Sequence, residues 1–68
     1  MSRKKGMICH KYLGNVYISS LSFESVSAVS RYLREQGARF RANRLQNLGE
    51  DSEKIDAGDF TYEVEEAL

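Results

Sequence analysis

Cys9 and His10 are the only thiol and the only imidazole in 68 residues, and they stand side by side. A thiolate beside an imidazole is the pair that nucleophilic catalysis uses. Adjacent residues in an extended chain, however, point to opposite faces, which separates these two for direct proton transfer. One cysteine and one histidine also fall short of a structural zinc set. Asp56 and Asp59, or Glu63 and Glu65, offer oxygen ligands to a hard cation, yet neither the calcium-loop spacing nor the zinc-protease helix motif is present. Nor does the sequence contain a phosphate-cradling glycine loop. The sequence therefore assigns no catalytic, metal or cofactor-binding residue, and the chain is expected not to be an enzyme.

Charge is more informative than any single reactive group. Arg3, Lys4, Lys5, Lys11, Arg31, Arg34, Arg39, Arg41 and Arg44 face only Glu24 and Glu35 in residues 1–48, a formal +7. In residues 49–68, Lys54 faces Glu50, Asp51, Glu53, Asp56, Asp59, Glu63, Glu65 and Glu66, a formal −7. The net charge of zero thus conceals a basic body and an acidic end. Opposite surfaces of this kind meet within one molecule, between two copies, or with separate partners.

Two functional classes use these residues. In the first, Tyr12 and Tyr17 anchor a protein partner while Arg39 and Arg41 steer encounter or hydrogen-bond to it, since tyrosine and arginine are favoured interface residues. In the alternative, Arg3, Lys4, Lys5, Arg31, Arg34, Arg39, Arg41 and Arg44 contact the phosphates of a nucleic acid, and Tyr12 and Tyr17 stack on its bases. Val16, Tyr17, Ile18, Ser19, Ser20 and Leu21 resemble the first signature strand of RNA-recognition motif domains over those six residues. Ser20 stands where that family commonly has Asn, Ala38 to Asn43 lack the second aromatic signature, and the family's second helix has no counterpart.

The elements that must position these side chains follow from periodicity. Met7 to Leu21 is rich in β-branched and aromatic residues around Gly14-Asn15, a hairpin-turn pair, which predicts strands over about 7–13 and 16–21. With a two-residue loop, Leu13 pairs with Val16, Tyr12 with Tyr17, Lys11 with Ile18, His10 with Ser19 and Cys9 with Ser20. Met7, Cys9, Leu13, Val16 and Ile18 then share the core face, and Ile8, His10, Tyr12, Tyr17 and Ser19 the other. Ser22 is the expected cap of a helix from Phe23 to Gln36, with Glu24 in its first turn and Leu21 and Val26 as a staple. Phe23, Val26, Val29, Tyr32 and Leu33 form its apolar stripe, and Gly37 ends it.

Beyond Gly37 the period changes to two. Ala38, Phe40 and Ala42 alternate with Arg39, Arg41 and Asn43, which predicts a third strand. Leu45 and Leu48 fit a short helical turn closed by Gly49, followed by a polar loop to Gly58. A final strand turns Phe60, Tyr62 and Val64 inward and Thr61, Glu63 and Glu65 outward. If the third strand lies beside this one, Arg39 and Arg41 stand opposite Glu63 and Glu65.

The expected fold is α+β, one helix on a small, mostly antiparallel sheet in the order β-β-α-β-β. Residues 1–6 are expected to be a flexible basic arm, 7–65 a single compact domain, and 66–68 an acidic end. So short a chain buries a small core, so a homodimer is expected to supplement it. One cysteine fits a reducing compartment, and the sequence carries neither a signal-like segment nor a long apolar run. The expectation is a cytoplasmic, non-membrane protein that binds or inhibits a larger host or cellular protein, of the size typical of phage or mobile-element accessory proteins.

Overall fold

The computed structural model describes residues 6–67. Strand β1 (Met7–Leu13) turns through Gly14-Asn15 into β2 (Val16–Phe23), and Gly14 supplies the positive φ, 60°, that opens this two-residue turn. Helix α1 (Val26–Glu35) follows, then an irregular stretch containing a short 3-10 helix (Ala42–Leu45). Strands β3 (Ser52–Ala57) and β4 (Phe60–Glu66) close the chain as a second hairpin around Gly58-Asp59. All strand pairs are antiparallel and the sheet order is β2-β1-β4-β3. The fold is the small α+β arrangement with one packed helix and the element order β-β-α-β-β.

The core lies between the sheet and α1. Val29 and Leu33 from the helix, Met7 and Cys9 from β1, Tyr62 and Val64 from β4, and Ile55 and Ala57 from β3 are all buried. Leu45 and Leu48 cover the same face beyond the helix, and Val26 and Tyr32 border it. Tyr32 meets Tyr62 edge-on at 6.1 Å and lies 5.2 Å from Phe23, a run of aromatic contacts beneath the helix. Lys11 also points to this side, where its ammonium sits 4.2 Å from the centre of the Phe60 ring and 5.9 Å from that of Tyr62.

Several expectations are corrected. The helix begins one turn later than expected, because β2 continues through Ser22 to Phe23 and Ser25 takes the cap, its hydroxyl accepting from the Ala28 amide at 3.2 Å. Glu24 therefore precedes the helix, whose first turn holds no acidic residue. The third strand is not at 38–42. Ala38 is buried and Phe40 packs against the core while Arg39 and Arg41 are exposed, so burial alternates as expected without any ladder. The strand instead occupies Ser52–Ala57, where a polar loop was expected. Arg39 and Arg41 consequently do not face Glu63 and Glu65 across the sheet; Glu63 pairs with His10 and Lys54, and Glu65 with Ile8 and Ser52.

The hairpin register holds for Leu13 with Val16 and Tyr12 with Tyr17, then shifts by one residue. Ile18 is the extra residue, so Lys11 faces Ser19, His10 faces Ser20 and Cys9 faces Leu21. Leu13, Val16 and Ile18, expected in the core, are exposed. Length explains it: a ten-residue helix spans about 15 Å, an eight-residue strand about 26 Å, and the hairpin tip projects past its cover.

Candidate functional site

The face of the sheet turned away from α1 carries the residues that alternate with the core: Ile8, His10 and Tyr12 on β1, Thr61, Glu63 and Glu65 on β4, and Ser52, Lys54 and Asp56 on β3. Tyr17 and Ser20 from β2 join them through their pairing with Tyr12 and His10. As expected, Cys9 and His10 lie on opposite faces. Cys9 is buried, and burial pushes its thiol up to about 11, so a reactive thiolate is not available at neutral pH.

Tyr12 and Tyr17 meet edge to face, ring centres 5.7 Å apart, and Tyr17 lies 6.4 Å from the His10 ring. A chain of hydrogen bonds fixes this cluster. The Tyr17 hydroxyl is 2.6 Å from Ser20 Oγ, Ser20 Oγ is 2.6 Å from His10 Nδ1, and His10 Nε2 is 2.5 Å from Glu65 Oε2. With neutral imidazole protonated at Nε2, His10 donates to Glu65 and accepts from Ser20, which in turn accepts from Tyr17. With imidazolium, Nδ1 donates to Ser20, and Ser20 donates to Tyr17. The sequence signals for this chain were weak, because Ser20 reaches His10 only after the one-residue shift at Ile18.

Hydroxyl, imidazole and carboxylate in this order are the parts of an acyl-transfer relay. Here they span a sheet surface, and Ser20, His10 and Glu65 line neither of two grooves on the molecule. One is lined by Tyr12, Asn15, Lys54, Asp56, Thr61 and Glu63, the other by Arg39, Phe40, Arg41, Arg44, Glu53 and Lys54. The direct effect of the hydrogen bonds is to hold His10 and the Tyr17 phenol in place across the β1–β2 pair.

The arginines gather at the other side of the molecule. Arg39, Arg41 and Arg44 surround the groove beside β3, with Arg44 Nε 3.9 Å from Glu53 Oε2. The Arg34 guanidinium lies 5.4 Å from the Phe40 ring centre, and Arg31 and Arg34 border a depression between α1 and Gln46. Three strand spacings, about 14 Å, separate β2 from β3. Of the residues expected to form one surface, Tyr17 thus lies on the edge strand β2 and Tyr12 on the adjoining β1, whereas Arg39 and Arg41 line the groove beside the opposite edge strand β3. Arg3, Lys4 and Lys5, and with them most of the expected basic arm, lie outside the described residues.

The feature that sequence reasoning missed is the hairpin's apolar exposure. Val16 is 65% exposed, Tyr17 55%, and Leu13, Ile18 and Leu21 close to half, and all five fall in residues 13–21. Comparison of strand and helix lengths could have revealed it. Among the described residues no group of His, Cys, Asp and Glu is arranged to hold a metal ion, and no helix is long and apolar enough to cross a membrane. Comparisons with protein-family models, with curated proteins and with solved structures find no match.

Proposed function

We propose that the chain is a small non-catalytic protein-binding module that regulates or inhibits a larger protein, with Tyr12 and Tyr17 as its anchors. The observation that carries this reading is the edge-to-face tyrosine pair on the uncovered face, with the Tyr17 hydroxyl already hydrogen-bonded to Ser20. Aromatic groups held before binding lose little rotamer freedom on contact, which is the property of anchor residues at interfaces. Thr61, Glu63, Lys54 and Asp56 give the adjoining groove a polar border suited to an interface rim. Arg39 and Arg41, at the other edge, act by steering an acidic partner rather than by sharing a pocket with the tyrosines. Cys9 as a free thiol fits the reducing, intracellular setting that this reading includes.

The test is affinity capture with the intact chain beside Tyr12→Ala/Tyr17→Ala and Arg39→Glu/Arg41→Glu variants of unchanged circular dichroism. The tyrosine variant is expected to lose a stoichiometric protein partner, with affinity falling at least tenfold. The arginine variant is expected to slow association and weaken its salt dependence. Unchanged capture and kinetics in both variants contradict the reading. The second reading, nucleic-acid binding, draws on the Arg39, Arg41 and Arg44 groove with Phe40 beneath Arg34. It predicts retention of generic DNA or RNA at low salt and steep loss as salt rises.

A further inference from the structure

Among the described residues the sheet has two edge strands, β2 and β3, and only β3 carries charge. β3, at one end, carries Glu53, Lys54 and Asp56 among six residues, the charged pattern that keeps an edge from pairing with other chains. β2, at the other end, reads Val16, Tyr17, Ile18, Ser19, Ser20, Leu21, Ser22, Phe23: eight residues without a charge, a proline or a glycine. None of its residues is buried, and its outward backbone groups have no neighbouring strand among the described residues. An unpaired row of amides and carbonyls flanked by Val16 and Leu21 selects an extended, uncharged strand as its occupant.

We propose that this occupant is β2 of a second copy, paired antiparallel about a two-fold axis normal to the sheet at Leu21. The bulge at Ile18 disrupts the tip end of β2, which leaves Ser19–Phe23 as its regular stretch. Centring the axis on Leu21 uses all of that stretch, with Leu21 opposite Leu21, Ser20 opposite Ser22 and Ser19 opposite Phe23. The same register keeps inner-face residues against inner-face residues, as antiparallel pairing requires. Self-pairing is chemically consistent: no like charges meet, serine hydroxyls both donate and accept, and copies of zero formal net charge approach without net repulsion. The product is one eight-stranded sheet with both helices on one side and both tyrosine pairs on the other. A pairing of β3 with itself would instead have to take Glu53, Lys54 and Asp56 of both copies partly out of water.

The pairing does not depend on the proposed protein-binding face, and the two fail separately: one is read by mass and cross-linking, the other by partner capture. Sedimentation equilibrium over a wide concentration range should approach twice the 7.8 kDa chain mass. Leu21→Lys, at a site that is 45% exposed in the single chain, should keep its circular dichroism and weaken self-association at least tenfold, because it sets two ammonium groups opposite each other. In a Cys9→Ala background, Leu21→Cys should oxidise to a covalent dimer, since directly opposed strand residues lie within disulfide reach. Lys54→Cys on β3 in the same background should not. A wild-type mass of one chain at every concentration overturns the proposal, as does a dimer that Leu21→Cys fails to cross-link while Lys54→Cys succeeds. If mass rises only when a foreign protein is added, the edge belongs to that protein and self-pairing is excluded.

Discussion

The two edge strands, β2 with eight residues and β3 with six, face opposite problems. β3 buries Ile55 and Ala57 in the core cluster that also holds Leu45 and Leu48, and it carries Glu53, Lys54 and Asp56. β2 buries none of its residues and carries no charge, although it holds more apolar residues than β3. A strand edge is made safe by covering one face and charging the other, and β3 has both devices. β2 has neither. On the proposed pairing, that difference is resolved by a second copy at β2, whereas β3 is completed within the chain's own fold.

The strongest way to break the comparison is to truncate side chains on both sides. Leu33→Ala and Ile55→Ala are each expected to cost about 2–5 kcal/mol in urea unfolding, because both side chains are enclosed and leave cavities. Leu21→Ala should cost under about 1 kcal/mol at concentrations where the chain is a monomer. Equal losses at Ile55 and Leu21 would show that β2 is as integral to the core as β3.

A smaller effect sharpens the view of the covered side. The folded Cys9 thiol is raised from 9.0 to about 11 by burial, so the unfolded chain ionises first as pH rises. Its contribution to stability is complete below about pH 9, declines between about 9 and 11, and amounts to at most about 2–3 kcal/mol. Tyr32, raised by burial and then by Tyr62, acts in the same direction at higher pH. Unfolding measured across this window should show a decline that Cys9→Ala reduces. A slope unchanged by Cys9→Ala would place the thiol in contact with water.

The smallest effect concerns Ser30, whose hydroxyl is buried in α1 without a hydrogen-bond partner among the described residues. Ser30→Ala removes that unmet group and improves helix propensity, so stability should rise by about 1 kcal/mol. A loss of stability would reveal a hydrogen bond or an ordered water at that hydroxyl.

Much of this architecture is legible in the residues. Gly14-Asn15 locates the first turn, the Val29 and Leu33 stripe locates the helix, and alternation in Phe60, Tyr62 and Val64 orients β4 correctly. The errors have physical origins. Ser22 and Ser25 are equally good caps, and the choice between them fell to β2, whose pairing with β1 extends through Phe23 to Met7. Arg39, Phe40 and Arg41 alternate in exposure without a strand because Ala38 and Phe40 need only reach the core, not pair. β3 was hidden by its charges, which lower strand propensity but suit an edge. Gly58-Asp59 was its readable signal, a hairpin pair of the same kind as Gly14-Asn15. Of the candidate site, Tyr12 facing Tyr17 followed from the turn, whereas the Ser20–His10 contact required the bulge at Ile18, which nothing in the local sequence specifies, and the His10–Glu65 contact required the β1–β4 pairing.

Amide hydrogen exchange on both edges of the wild-type chain, repeated as concentration is raised, tests the difference between β2 and β3 most directly. The outward amides of Ser19–Phe23 should become progressively protected with concentration, while those of Ser52–Ala57 exchange at a constant rate. Equal and concentration-independent exchange at both edges would contradict the account.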